Sequence, residues 1–257
     1  MAEMLRSVLL FGDTIGIPQL LRVVPAGLSC GIVVAEIRPE QHEPLREIAD
    51  EQQLPLLIQP RKTSEHYAPF VEQVRELSPD LILVNSYSML LRDEVLAVPP
   101  FGAVNVHGAL LPQYRGSNPM QWALINNETE TGVTMHYMDS NFDTGDIIAQ
   151  RRVPIFFEDT WLSVRDRIGE ATEAMLAEEM PRLLSRTNTR TPQDEKLARH
   201  HRRRRPEDGL VDWRQSALSI YNLVRALVRP LPGAFYYSGA DKIVLDEYLF
   251  MSEVVAL

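Results

Sequence analysis

The chain has 257 residues, 45% of them apolar, and a net charge of −9 from 26 basic and 35 acidic side chains. That length fits one large domain or a large domain with a small appendage, and the apolar fraction is ample for a core covered on two sides. The acidic balance counts against a nucleic-acid-gripping protein, apolar runs such as 81–84 are far too short to cross a bilayer, and the single cysteine, Cys30, excludes an internal disulfide framework or a thiolate metal cluster.

In chain order, short β-branched or leucine-rich runs at 8–11, 32–35, 56–58, 81–84 and 104–107 read as buried strands. The third is short and follows Pro55, which suits a strand's start or a sheet edge. Between the runs, 41–53 and 64–77 carry apolar residues at helical spacing amid charges. Strands alternating with helices imply right-handed crossovers and a mostly parallel sheet with helices on both faces, a Rossmann-like α/β fold. The turn at 11–18 has glycines but not the G-x-G-x-x-G spacing, and no acidic ribose ligand is convincingly placed, so a dinucleotide site is not expected. Further strands at 132–138 and 147–155 flank the loop 139–146, and a long helix over 161–184 is capped by Asp159 and Thr160.

Residues 187–212 are rich in Arg, Thr, Pro and Asp and read as a linker. An amphipathic helix over 215–228 follows, with Leu218, Tyr221, Leu223, Val224 and Leu227 available to one apolar face, and Pro230-Leu231-Pro232-Gly233 stops it. The runs 234–237 and 242–245 flank Ser238-Gly239-Ala240-Asp241 as a hairpin. The expected organisation is a catalytic domain over 1–186, the linker, and a short helix-and-hairpin region over 213–257. The N-terminus lacks a cationic flank followed by a long apolar stretch and a cleavage site, so the cytoplasm is the expected compartment.

The chemistry-bearing residues cluster at two strand ends. Asn105 and His107 are two apart, so in a strand they face the same side, at the carboxyl edge where open α/β sheets bind ligands. A half-buried Asn and a backbone-bonded core His are the plain alternative. Against it stands the next loop, 110–119, which is apolar, then aromatic, then cationic and punctuated by Pro and Gly, as a shaped pocket wall would be. In 139–146 the carboxylates read as turn formers or as a functional set with Asp143. An EF-hand reading fails, because the glycine is misplaced and no bidentate Glu closes the loop. A metal held by His107, His136 and these carboxylates stays a minor alternative, and no metal is expected. His136 reads as structural or pocket-lining, His200 and His201 as solvated, and Cys30 as a small buried residue. The basic run 199–205 is either a solvated loop or a phosphate holder. A carboxamide, an imidazole and a carboxylate together suit acyl transfer to an amine.

At these residues the chain resembles the folate-dependent formyltransferases, which include methionyl-tRNA formyltransferase, glycinamide ribonucleotide transformylase and the sugar N-formyltransferases. The likeness runs from Asn105-Val106-His107 through Leu110-Leu111-Pro112-Gln113-Tyr114-Arg115-Gly116, Pro119, Gln121 and Trp122. It continues through Glu128-Thr129-Glu130-Thr131-Gly132-Val133-Thr134 to Asp143-Thr144-Gly145-Asp146-Ile147. A second stretch is Asp208-Gly209-Leu210-Val211-Asp212-Trp213, then Tyr221-Asn222-Leu223-Val224-Arg225-Ala226 and Pro232-Gly233-Ala234-Phe235. The resemblance implies N10-formyltetrahydrofolate as donor and Asn105, His107 and Asp143 as the catalytic set. It also implies a folate pocket at Ser88, Met89, Leu90, Leu91, Leu111, Asp139 and Asp143. Tyr114, Arg115, Gly116 and Trp122 are the implied acceptor residues.

The acidic charge, and a C-terminal stretch expected to be too short for the barrel of the tRNA-formylating enzymes, demote a tRNA acceptor. The shorter members that this chain resembles most formylate nucleotide-linked amino sugars, with products that enter lipopolysaccharide O-antigens or other glycans. Arg115 and the run 199–205 can serve a diphosphate, and Trp122, Tyr221 and Tyr236 are candidates for a base slot. The acceptor expected here is therefore a 3-amino-3,6-dideoxy or 4-amino-4,6-dideoxy sugar on dTDP, UDP or GDP. The alternatives are methionyl-tRNA, hydroxyornithine, hydrolysis of the formyl folate, or a folate-binding protein without transferase activity. The hairpin, the apolar strand 242–245 and the tail 254–257 predict a homodimer.

Overall fold

A computed structural model of the chain describes residues 5–245. In chain order its elements are β1 (Val8–Gly12), α1 (Gly16–Val23), β2 (Ser29–Ala35), α2 (His42–Glu51), β3 (Leu56–Gln59), α3 (Tyr67–Glu76), β4 (Leu81–Asn85), α4 (Asp93–Leu96) and β5 (Ala103–His107). Then come β6 (Arg115–Gly116), α5 (Pro119–Ile125), β7 (Glu130–Tyr137), β8 (Ile147–Pro154), α6 (Trp161–Leu184), β9 (His200–His201), α7 (Ala217–Arg225), β10 (Ala234–Ser238) and β11 (Asp241–Leu245). Two compact units share them. The first takes the chain up to His107 with Thr134–Gln150 and Thr172–Gln193; the second takes Gly108–Val133, Arg151–Ala171 and the chain from Asp194 onward.

Among the described residues seven strands form one sheet in the order β3-β2-β1-β4-β5-β7-β8. β1 runs parallel to β2 and β4, β2 to β3 and β4 to β5, whereas β7 lies antiparallel to β5. Every residue of β1 and β4 is buried, which is why both are unbroken apolar runs instead of alternating ones. Leu9 and Phe11, two apart and so on one face, pack with Phe70 and Val74 of α3 and Ile82 of β4. The strand order reverses at β1, and α1 begins against the carboxyl end of β4. A side chain at Gly16 would come within 2.0 Å of the Asn85 carbonyl, so only glycine permits that approach.

The second unit has its own core, built from Trp161, Val164 and Ile168 of α6, Leu124 of α5 and the Leu227-Val228 pair. Arg225 is buried there. Its Nε donates to the Asn222 carboxamide oxygen at 2.8 Å, and one terminal nitrogen donates to the carbonyls of Phe156, Phe157 and Asp159 at 2.9, 3.2 and 3.1 Å. The loop before α6 is thus tied to α7. β10 and β11 pair antiparallel with Ser238 opposite Asp241, leaving Gly239-Ala240 as a two-residue turn with Gly239 at φ +62°.

The Rossmann-like α/β sheet and the C-terminal hairpin are as the patterning implies, and α6 falls on the expected 161–184. Other elements differ. The expected turn 11–18 contains the start of α1, because the Asp13 carboxylate accepts the N–H groups of Ile15 and Gly16 at 2.9 and 2.8 Å. The pocket-wall loop gives way to α5, a helix of only seven residues started by Pro119. Residues 187–212 carry β9, which pairs with β6, and an antiparallel bridge from Thr191 to Ile147. Cys30 packs against the first unit's core, where burial pushes its thiol up to about 11. No helix of the described residues is long and apolar enough to cross a membrane. The tail 254–257 lies outside the described residues.

Candidate active site

β5 delivers Asn105 and His107 to the first unit's sheet edge, and the antiparallel register of β7 sets Asn105 opposite His136 and His107 opposite Thr134. His136 is 1% exposed. Its Nδ1 lies 2.8 Å from the Tyr137 carbonyl. A carbonyl only accepts, so Nδ1 carries the proton and Nε2 a lone pair. Asn105 Nδ2, 3.2 Å from that lone pair, must therefore be the donor. This fixes which end of the carboxamide is which, and the second N–H of Asn105 has no other partner among the described residues. Burial pushes the His136 imidazole down to about 4, against the opposing pull of Asp143, so the ring is neutral near pH 7.

Asp143 faces both histidines. One carboxylate oxygen lies 3.6 Å from His107 Nδ1 and the other 3.6 Å from His136 Nε2. These distances are ion-pair separations, longer than direct hydrogen bonds. The loop that carries Asp143 is held tightly. Asp143 adopts φ +55°, a conformation uncommon outside glycine. Asp139 accepts from the Asn141 N–H and the Thr144 hydroxyl at 2.9 and 2.5 Å. A side chain at Gly145 would come within 2.0 Å of the Tyr137 carbonyl. From the segment after α6, the Gln193 carboxamide donates to the carbonyls of Asp143 and Gly145 at 2.9 and 2.7 Å.

The folate candidates of the first unit sit on a loop pinned from β3. Gln59 Nε2 donates to the Leu90 carbonyl at 3.1 Å, and its Oε1 accepts the Tyr87 hydroxyl at 2.9 Å. Ser88 is exposed, and Met89 and Leu90 are half-buried. Leu91 is buried, its side chain part of the core with Phe11 and Val95. Asp139 is exposed beside Asp143, while Leu111 is buried in the second unit.

The acceptor candidates cluster in the second unit, with two corrections. Arg115 is not a free cation. Its side chain is 1% exposed and makes two parallel bonds, of 2.9 and 2.7 Å, to Glu195. The Tyr114 hydroxyl is likewise committed, donating to Glu128 at 2.6 Å, and burial pushes the phenol up to about 12. Trp122 remains half-buried, its indole N–H donating to the Arg202 carbonyl at 3.1 Å. Gly116, at φ +98°, lies where a side chain would strike the His201 carbonyl at 2.3 Å. His201, expected as solvated, stacks on Tyr114 with ring centroids 4.6 Å apart and leans on Trp122. Burial lowers its pKa.

Sequence reasoning reached Asn105, His107 and Asp143 but missed Gln193, Gln59 and Glu195, and gave His136 a structural or pocket-lining role. None of these carries a local motif; the bonds that join Gln59 to Tyr87, Asn105 to His136, Gln193 to Asp143 and Arg115 to Glu195 each span 28 residues or more. Among the described residues no group of three or more His, Cys, Asp or Glu is placed to hold a metal ion.

The fold is shared with known proteins. A sugar N-formyltransferase from a Shewanella species superimposes with a TM-score of 0.77 at 20% identity, covering 95% of this chain and 98% of that one. A 4-N formyltransferase from Francisella tularensis gives 0.76 at 15% identity, covering 95% and 99%. An N-formyltransferase from Helicobacter canadensis, in complex with folinic acid and dTDP-3-aminofucose, gives 0.59 at 19%, covering 86% and 80%. The formyl transferase description matches residues 31–180, and that of the formyl transferase C-terminal domain matches 204–250. The chain that brings Asn105, His107 and Asp143 together therefore belongs to the formyl transferase family and is an enzyme of formyl transfer.

Proposed function

We propose that the protein transfers the formyl group of N10-formyltetrahydrofolate to the amino group of a nucleotide-linked amino sugar, a 3-amino-3,6-dideoxy or 4-amino-4,6-dideoxy hexose. The observation that carries the reading is the oriented Asn105 carboxamide, donating one N–H to His136 and keeping the other for a ligand oxygen. Support for the acceptor comes from sugar N-formyltransferases of similar fold, and from a similar N-formyltransferase in complex with folinic acid and dTDP-3-aminofucose.

In the reaction a bond forms between the amine nitrogen and the formyl carbon, and the bond from that carbon to N10 breaks. Asn105 donates to the formyl oxygen as charge gathers there, a contact worth about 3 kcal/mol of barrier for a donor of this kind. His107 takes the proton the amine must shed, and Asp143 orients His107 and helps pass a proton toward the departing N10. The main chain of Ser88, Met89 and Leu90 offers amide groups that match the edges of a pterin, with Leu91, Leu111 and Asp139 completing the donor assignment. Trp122 and Gly116 are the acceptor residues; Tyr114 and Arg115 serve by holding that wall through Glu128 and Glu195. The enzyme acts in the cytoplasm as a homodimer, upstream of an O-antigen or another glycan.

The test mixes purified protein with N10-formyltetrahydrofolate and a panel of dTDP-, UDP- and GDP-linked amino sugars, with products read by mass. One sugar nucleotide gaining a formyl group is expected. No gain on any of them, with methionyl-tRNA or hydroxyornithine formylated instead, overturns the acceptor.

A further inference from the structure

A cavity of about 180 Å³ in the second unit opens among Gln121, the consecutive Arg203, Arg204 and Arg205, and the apolar side chains of Leu227 and Leu231. Three observations give it a chemistry. Three arginines line it and no carboxylate does. Asp208, in the same turn, is engaged by Arg202 through bonds of 2.7 and 2.6 Å. In a chain of net charge −9, such a recess concentrates positive potential between low-dielectric walls.

Gln121 supplies the second observation. It is only 6% exposed, lines the cavity, and its carboxamide meets no hydrogen-bond partner among the described residues. Its carboxamide is thus uncommitted at the cavity wall and open to a ligand's polar edge. The third observation is the stiffness of the arginine segment. The Arg204 N–H donates to the Asn118 carboxamide oxygen at 3.0 Å, and Trp122 donates to the Arg202 carbonyl at 3.1 Å. The Arg204 guanidinium lies 5.2 Å over the Trp122 ring and donates to the Asp208 carbonyl at 3.1 Å. Arg203 has no side-chain hydrogen bond or ion pair with any described residue. The backbone is preorganised while a guanidinium remains available, the arrangement that favours phosphate recognition.

We propose that this cavity binds a phosphate-bearing ligand, with Arg203 and Arg205 on the phosphate oxygens, Gln121 on a polar edge, and Leu227 and Leu231 against the ligand's apolar part. Two sources share this chemistry: the diphosphate of a nucleotide-linked acceptor and a separate free nucleotide. The first source rests on the acceptor reading above; affinity of the cavity for phosphate does not.

The test is calorimetric titration of inorganic pyrophosphate into the full chain. Saturable binding is expected at one site, weakened at least tenfold in an Arg203→Ala/Arg205→Ala variant and in Gln121→Glu, which sets a carboxylate in the recess. Both arginines are exposed, so the double variant keeps its fold, checked by unchanged circular dichroism. In melting experiments pyrophosphate should raise the Tm of the parent protein and not that of the arginine variant. Equal affinity in parent and arginine variant, or no saturable binding, overturns the site. A dTDP-linked amino sugar that displaces bound pyrophosphate supports the acceptor's diphosphate as the source; simultaneous binding of both supports a separate ligand.

Discussion

Asn105 owes its orientation to His136, and that dependence makes the site's behaviour testable residue by residue. Replacing Asn105 by Ala removes the carboxamide proposed to donate to the formyl oxygen, and kcat should fall about 100- to 1000-fold. His107→Ala or Asp143→Asn should lower turnover by orders of magnitude while folate binding, followed by fluorescence, stays within a few-fold of the parent value. Wild-type-like turnover in either variant overturns the assignment. Gln193 touches no reacting atom and acts by holding the Asp143 backbone. Gln193→Ala should reduce kcat about tenfold with KM for the acceptor unchanged, whereas a merely structural role would lower Tm and leave kcat alone.

His136 also sets a pH dependence. Its folded-state pKa, about 4, lies below the ordinary value of 6.5, so the unfolded chain binds the proton more readily between those limits. Stability from this residue is present above about pH 6.5 and is lost as pH falls toward 4. Urea midpoints taken across that window should drop with acid in the parent protein and change less in His136→Gln. An equal slope in both proteins would place the acid sensitivity elsewhere.

At the scale of elements, α7 matters through Arg225 more than through its apolar face. The guanidinium satisfies three carbonyls of the loop before α6, and removing it leaves those acceptors buried. Arg225→Ala should destabilise the protein by about 3 kcal/mol in urea unfolding. Lysine should restore little, because a single ammonium lacks the planar fork. The strands of the first unit were legible because a run buried on both faces is uniformly apolar, as in β1 and β4. α5 was not, since seven residues opened by Pro119 are too few for a 3.6-residue period to show. β6 and β9 have two residues each and exist only through their mutual pairing.

For the whole molecule, the hairpin carries a prediction of association. Among the described residues β10 and β11 pair as strands only with each other, beside a bridge from Phe235 to Leu210, and β11 exposes Ile243 and Val244. A two-stranded sheet with an apolar exposed strand is marginal in water. Sedimentation at micromolar concentration should give twice the mass of one chain; the mass of one chain would sink the homodimer. Within the second unit, the arginine-lined cavity adds a predicted salt effect: pyrophosphate affinity should fall steeply between low and physiological ionic strength, as screening shortens the reach of Arg203 and Arg205.

By itself the sequence determined the alternation of strands and helices, the α/β class and the hairpin, and it singled out Asn105, His107 and Asp143 as the proposed catalytic set. Each is written locally, in a period of two or 3.6 residues or in a short motif at a strand end. Only the tertiary structure decided that Asn105 faces His136, that Gln193 clasps the Asp143 loop, and that Arg115 is spent on Glu195 instead of a substrate. The physical reason is separation along the chain. Partners 31, 50 and 80 residues apart meet through strand register and the folding back of the segment after α6, and neither is encoded in the composition or spacing of the residues that meet.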